Sequence, residues 1–151
     1  MLCTSNVINI RIDIVMKEQA KKNLDIIEIY KKLDAELASI NPGCNACGTC
    51  CHFDEFGHVL YASTIETDFI LENVEVPSFD LDKNVCPFLI DDQCTIREHR
   101  ALGCRVFFCD PQHKETLQGI YEKYYTIIKD LAIDSDVEWH YAPIMKLLKE
   151  K

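Results

Sequence analysis

Nothing in this sequence is apolar for long enough to cross a bilayer: its longest hydrophobic runs extend only a few residues. Arg11 and Asp13 interrupt the stretch where a secretory signal would need its apolar core, so no signal is expected. Basic residues are also scarce. Sixteen Lys and Arg face twenty-five Asp and Glu, a net charge of −9, which argues against binding phosphate backbones of nucleic acid through clustered cations. No internal repeat, low-complexity tract, phosphate loop, Rossmann fingerprint or Ser-His-Asp order is present. The expectation is a soluble cytoplasmic protein without membrane or nucleic-acid partners.

The cysteines are what this chain has in excess. Of nine, eight fall between Cys44 and Cys109: Cys44-x-x-Cys47-x-x-Cys50-Cys51, then Cys86, Cys94, Cys104 and Cys109. Repeated Cys-x-x-Cys spacing is a metal-ligand signature, because the chain wraps back and offers thiolates to one centre. Buried apolar packing explains a single cysteine such as Cys3 but not the run from Cys44 to Cys51. Disulfides fit poorly too: the count is odd, Cys50 and Cys51 are adjacent, and a reducing cytosol keeps thiols free. Gly48 lies inside the run, where its conformational freedom helps a tight turn.

Cys44, Cys47 and Cys50 recur every three residues and are expected to converge on one side of such a turn, while Cys51 leaves in another direction. One run therefore feeds two sites, or one site with more than one metal. Eight cysteines satisfy two tetrahedral four-thiolate centres, the preference of structural zinc. They equally allow an iron–sulfur cluster with thiols to spare. The triplet matches the start of the bacterial ferredoxin pattern, with Cys86-Pro87 as a remote closing ligand. Two zinc ions in eight thiolates would leave a charge of about −4, which calls for N–H donors or cations nearby. Arg97, Arg100 and Arg105 fall among the last cysteines, and Arg100 and Arg105 are the favoured supporting pair. His52 and His99 neighbour cysteines but read as surface or hydrogen-bonding residues; His58, His113 and His140 have no evident partner.

The rest of the chain reads as helix, so the fold class expected is mainly α: a small single domain whose irregular cysteine-rich middle is flanked by helices. Residues 1–15 look like a weakly structured extension with a strand-like alternation at Ile8, Ile10, Ile12 and Ile14. The helical pattern begins after Met16, which makes Met16 a candidate start of translation. Residues 16–151 form the domain, with its motif core at 44–109. Leu24, Ile27, Leu33, Leu37 and Ile40, with Ile26, Ile29 and Tyr30 beside them, mark an amphipathic helix from Lys17 to Ile40, ended by Asn41-Pro42-Gly43. Val59-Leu60-Tyr61 is a short strand or linker. Ser63-Thr64-Ile65-Glu66 is a capping box opening a helix to about Leu71. Asp91-Asp92 signals a turn, and Thr95 to Leu102 a short helix ended by Gly103. A long helix is expected from Pro111 to about Ile133, with a final one after Pro143. Trp139-His140-Tyr141 reads as packing for that last helix.

Four blocks in order, Cys44-x-x-Cys47-Gly48-x-Cys50-Cys51, Cys86-Pro87-Phe88-Leu89, Cys94-x-Ile96-x-Glu98-x-Arg100 and Cys104-Arg105-x-Phe107, resemble the CxxCxxCC (YkgJ-type) cysteine-cluster family. Those proteins are described as zinc- or iron-chelating domains. The resemblance covers Cys44 to about Cys109 and implies a metal site built from these eight cysteines. It departs from the family where Ala101, not proline, follows Arg100; no ligand is lost by that. Flagellin lysine-N-methylases carry a similar cysteine pattern, but this chain shows no methyl-donor fingerprint. Three functions follow in order of preference. The first is a metal-binding protein holding zinc or iron for structure, storage or recognition of a protein partner. The second is an iron–sulfur redox protein. The third is a metal-dependent, protein-modifying enzyme, disfavoured because eight thiolates leave two metals no open position.

Overall fold

A computed structural model describes residues 4–151 of the chain; Cys3 lies outside them. The described chain is mainly helical, with six α-helices and two very small sheets, as the sequence leads one to expect. Helix α1 (Thr4–Ile40) is followed by a short α2 (Phe53–Phe56), strand β1 (Tyr61–Ser63) and α3 (Thr64–Asn73). The hairpin β2 (Leu89–Ile90) and β3 (Gln93–Cys94) leads to α4 (Leu102–Val106), the long α5 (Lys114–Asp134), β4 (Tyr141–Pro143) and α6 (Ile144–Glu150). Among the described residues no helix is long and apolar enough to cross a membrane.

The second half of α1 supplies its core contacts among the described residues. Ile26, Tyr30, Leu33 and Leu37 are spaced by four, three and four residues, so they share one face. They meet Leu117, Ile120, Tyr124, Ile128 and Ala132 of α5 in the larger core, with Ile65, Phe69, Leu102 and Val106. Leu24, counted in the stripe from sequence, is exposed instead. The helix also begins at Thr4, well before the periodic pattern does. Apolar residues at every second position spread around a helix rather than forming a stripe, and Ile10, Ile12 and Ile14 are accordingly exposed. Periodicity detects packing, and Ile10, Ile12 and Ile14 have none to detect.

A second core forms beneath the cysteine-rich middle, from Phe53, Ala62, Ile70, Phe88, Ile96 and Ala101 with Ile144, Met145 and Leu148 of α6. Helix α3 joins the two cores, giving Ile65 and Phe69 to one and Ile70 to the other. The capping box read from sequence is present: Ser63 N–H and Oγ–H both donate to Glu66 Oε2, at 2.8 and 2.6 Å. Strands β1 and β4 pair antiparallel, Ala62 opposite Ala142, and so tie the middle of the chain to its C-terminal end.

Gly103 does not end a helix, contrary to the sequence expectation. Arg97–His99 is a single 3-10 turn, and α4 starts at Leu102 with Gly103 in its first turn. A Cβ there would lie 2.7 Å from Leu60 Cδ1 and 3.3 Å from the Tyr61 carbonyl, so glycine lets α4 approach β1. The other long elements match their expected spans closely. Pro111 opens a 3-10 turn that leads straight into α5, and α6 starts directly after Pro143.

Candidate metal centre

All eight cysteines from Cys44 to Cys109 line one cavity of about 280 Å³. None forms a disulfide. Among the described residues no three His, Cys, Asp or Glu side chains are gathered closely enough to hold an ion as they stand. The donor set nonetheless has the chemistry of a soft-metal site: eight thiols drawn from five separate chain segments to one cavity, with His58 and Asp110 also in its lining.

Local backbone explains how the first run delivers its thiols. Ala46 and Gly48 adopt left-handed conformations, at φ 50° and 72°. A 3-10 turn follows at Thr49–Cys51, closed by the Cys51 N–H on the Gly48 carbonyl at 2.9 Å. With three residues per turn, successive side chains leave the backbone about 120° apart, yet the Cys50 and Cys51 thiols stay within hydrogen-bond reach of one another. Gly48 is required as well as convenient. A Cβ would sit 2.5 Å from the Asp92 carbonyl oxygen, because the β2–β3 turn packs directly on it. That turn has both Asp91 and Asp92 at positive φ, as a tight two-residue hairpin demands.

The later cysteines are fixed by backbone hydrogen bonds to this frame. Cys86 N–H donates to the Cys51 carbonyl at 2.9 Å, and Leu89 N–H to the Cys86 carbonyl at 3.1 Å. Leu89 is in turn the register partner of Cys94. Cys104 comes from α4, and Cys109 from the loop that precedes α5. On that loop the Asp110 carboxylate accepts the Gly43 N–H at 3.3 Å, which holds the residue before Cys44 against the residue after Cys109.

The thiols perturb one another. Cys50 is pushed well above its ordinary pKa by its hydrogen bond with Cys51, by burial and by the Cys51 charge. The hydrogen bond with Cys50 pulls Cys51 down, but the Cys86 hydrogen bond, burial and the Cys86 and Cys94 charges outweigh it and push Cys51 up to about 12. Burial raises Cys104 strongly, Arg100 opposing and neighbouring thiols assisting. Burial also raises Cys109, with Cys47, Cys50 and Cys44 adding to it. Cys47 runs the other way, lowered by the Thr49 hydroxyl 2.8 Å from its sulfur. Crowded thiols of this kind ionise together only when a cation offsets their mutual repulsion.

The two arginines favoured from sequence are placed differently. Arg100 lines the cavity and favours ionisation of Cys50 and Cys104. Arg105 does not line it. Its buried guanidinium donates to Asp34 Oδ2 and to the Arg100 carbonyl, each at 2.8 Å, and to the Glu98 carbonyl, while lying 4.0 Å over the Tyr30 ring. Arg105 therefore holds the segment that carries Arg100 rather than facing sulfur. Arg97, passed over in sequence, does line the cavity.

His58 is the cavity residue that spacing did not reveal. Its Nε2 is 3.1 Å from the Cys50 carbonyl, so that nitrogen donates. The ring stacks on Phe107 and meets Phe53 edge-on. Its Nδ1 is buried, with no hydrogen-bond partner among the described residues. His52 is near Glu55 and Asp92, His99 packs against Phe69, His113 pairs with Asp110 and His140 with Glu138. Trp139 and Tyr141 pack with Tyr125 of α5.

Comparisons with protein-family models, with curated proteins and with solved structures return no match to this chain.

Proposed function

We propose that this chain is a metal-binding protein that holds zinc or iron through Cys44, Cys47, Cys50, Cys51, Cys86, Cys94, Cys104 and Cys109, and that it works in a reducing compartment, the cytoplasm. One observation carries the reading: eight free thiols from separate segments line a single cavity. Chance burial of cysteine would scatter them between the two cores, yet the larger core contains none of the eight. Arg97 and Arg100 on the same wall supply positive charge toward a thiolate-rich site. The resemblance of the four cysteine blocks to the CxxCxxCC proteins points the same way.

The role that fits a fully thiolate site is structural or storage, or organising a surface for a protein partner, since four-thiolate metals have no open position for substrate. Titration of the reduced protein with cobalt(II), a spectroscopic stand-in for zinc, tests the proposal. Intense thiolate-to-metal charge transfer that zinc displaces is expected. A chain that gives no such band in anaerobic buffer does not bind metal through these thiols.

A further inference from the structure

The eight cysteines differ in depth, and the difference is orderly. Cys44, Cys47, Cys50 and Cys109 are exposed, whereas Cys86 is buried and Cys51, Cys94 and Cys104 are half-buried. Backbone connections follow the same division. Cys51 is tied to Cys86, Cys86 to Leu89, and Leu89 to Cys94, so three of the deeper cysteines sit on one hydrogen-bonded frame. Cys104 lines the same cavity from α4, at the half-buried depth of Cys51 and Cys94. At the rim, Asp110 clamps Gly43, which brings the segments of Cys44 and Cys109 together. The 3-10 turn places exposed Cys50 beside half-buried Cys51, their thiols hydrogen-bonded where the two depths meet.

We infer that the cysteines form two separate four-thiolate centres, an outer one of Cys44, Cys47, Cys50 and Cys109 and an inner one of Cys51, Cys86, Cys94 and Cys104. This assignment rests on the metal-binding reading above and goes beyond it by pairing the ligands. Each centre draws on both the first run and the later cysteines, so each closes a long loop of chain. The two meet at the Cys50–Cys51 peptide. Depth makes them unequal: the outer centre is open to competing chelators, and the inner one is shielded by Phe53, Phe88 and Ile96 of the second core.

The test uses the full chain, purified without oxygen and loaded with zinc, with metal per chain and thiol alkylation as readouts. Limiting chelator should remove one zinc first and expose Cys44, Cys47, Cys50 and Cys109 to alkylation as a set, located by peptide fragmentation. Excess chelator should then expose the other four. The double variant Cys44→Ser/Cys109→Ser should lose one of two zinc ions; Cys44→Ser/Cys94→Ser should lose both. Alkylated sets that mix the two quartets, or a rim double variant that loses both ions, would overturn the pairing while leaving metal binding intact. The alkylation readout needs no variant, so it decides the matter even if an inner substitution unfolds the chain. A wild-type chain that takes up neither zinc nor iron removes the metal-binding reading itself.

Discussion

The carboxylate of Glu66 accepts the backbone N–H of Leu102 at 2.7 Å, which makes one acidic side chain the cap of two helices. Tyr30 of α1 donates to that same oxygen at 3.0 Å, while the other oxygen closes the capping box at the start of α3. Glu66 is almost wholly buried, at 2% exposure. Through Leu102 it sets the start of α4, and hence the position of Cys104.

All four hydrogen bonds to Glu66 are donated to it, so an amide in its place would turn its own donors against theirs. Glu66→Gln is expected to cost about 2–4 kcal/mol, the scale of leaving buried donors unmet. Urea unfolding of the reduced, metal-free protein measures it. A loss below about 0.5 kcal/mol would mean the network contributes little.

Arg105 combines a charged fork with an aromatic contact that lysine does not reproduce. Arg105→Lys should lower stability by about 1–3 kcal/mol, since the Glu98 and Arg100 carbonyls would each lose a charged donor. Because Arg105 faces no sulfur, metal stoichiometry should stay at the wild-type value. Loss of metal with unchanged folding would place Arg105 at the site after all.

Two glycines with positive φ separate strain from contact. Gly57, at φ 59°, has open space around its missing Cβ, whereas Gly48 would drive one into the Asp92 carbonyl. Gly57→Ala should cost about 1 kcal/mol, from the left-handed backbone alone. Gly48→Ala should cost clearly more and weaken metal uptake, because the β2–β3 turn must move. Equal effects in the two variants would contradict the close approach.

Acid should weaken the α1–α5 contact. Glu36 accepts from Lys123 Nζ at 2.7 Å, which with the Tyr124 hydroxyl holds its carboxyl below the ordinary value of 4.5. A depressed folded pKa gives stability that is present above the unfolded value and lost as pH falls through the folded one. Glu36→Gln should therefore flatten part of the acid limb of stability below about pH 4.5 in the metal-free protein. An acid limb identical to wild type would show that the pair adds nothing.

The sequence was legible wherever chemistry or packing left a local trace. Ser63 and Glu66 stand three apart as a capping box, Leu117 to Ile128 keep helical spacing, and Asp91-Asp92 mark a turn; all three are found in the structure. What escaped depends on contacts between distant segments. Arg105 reads like a ligand-supporting cation from its neighbours in sequence, and only the fold brings it to Asp34 and Tyr30. Gly103 looks like a helix stop until Leu60 is seen against it. His58 carries no spacing signal, since its partner is a backbone carbonyl. The spacing of the cysteine run is local and visible at once, but the depth order of the eight cysteines within the cavity is not.

Elemental analysis of the chain purified without oxygen, with acid-labile sulfide measured on the same sample, bears most directly on metal binding by these thiols. About two zinc ions per chain without sulfide, as two four-thiolate centres hold, or iron with matching sulfide, is the expected result. Metal at well below one equivalent, with all eight thiols freely alkylated under native conditions, would contradict it.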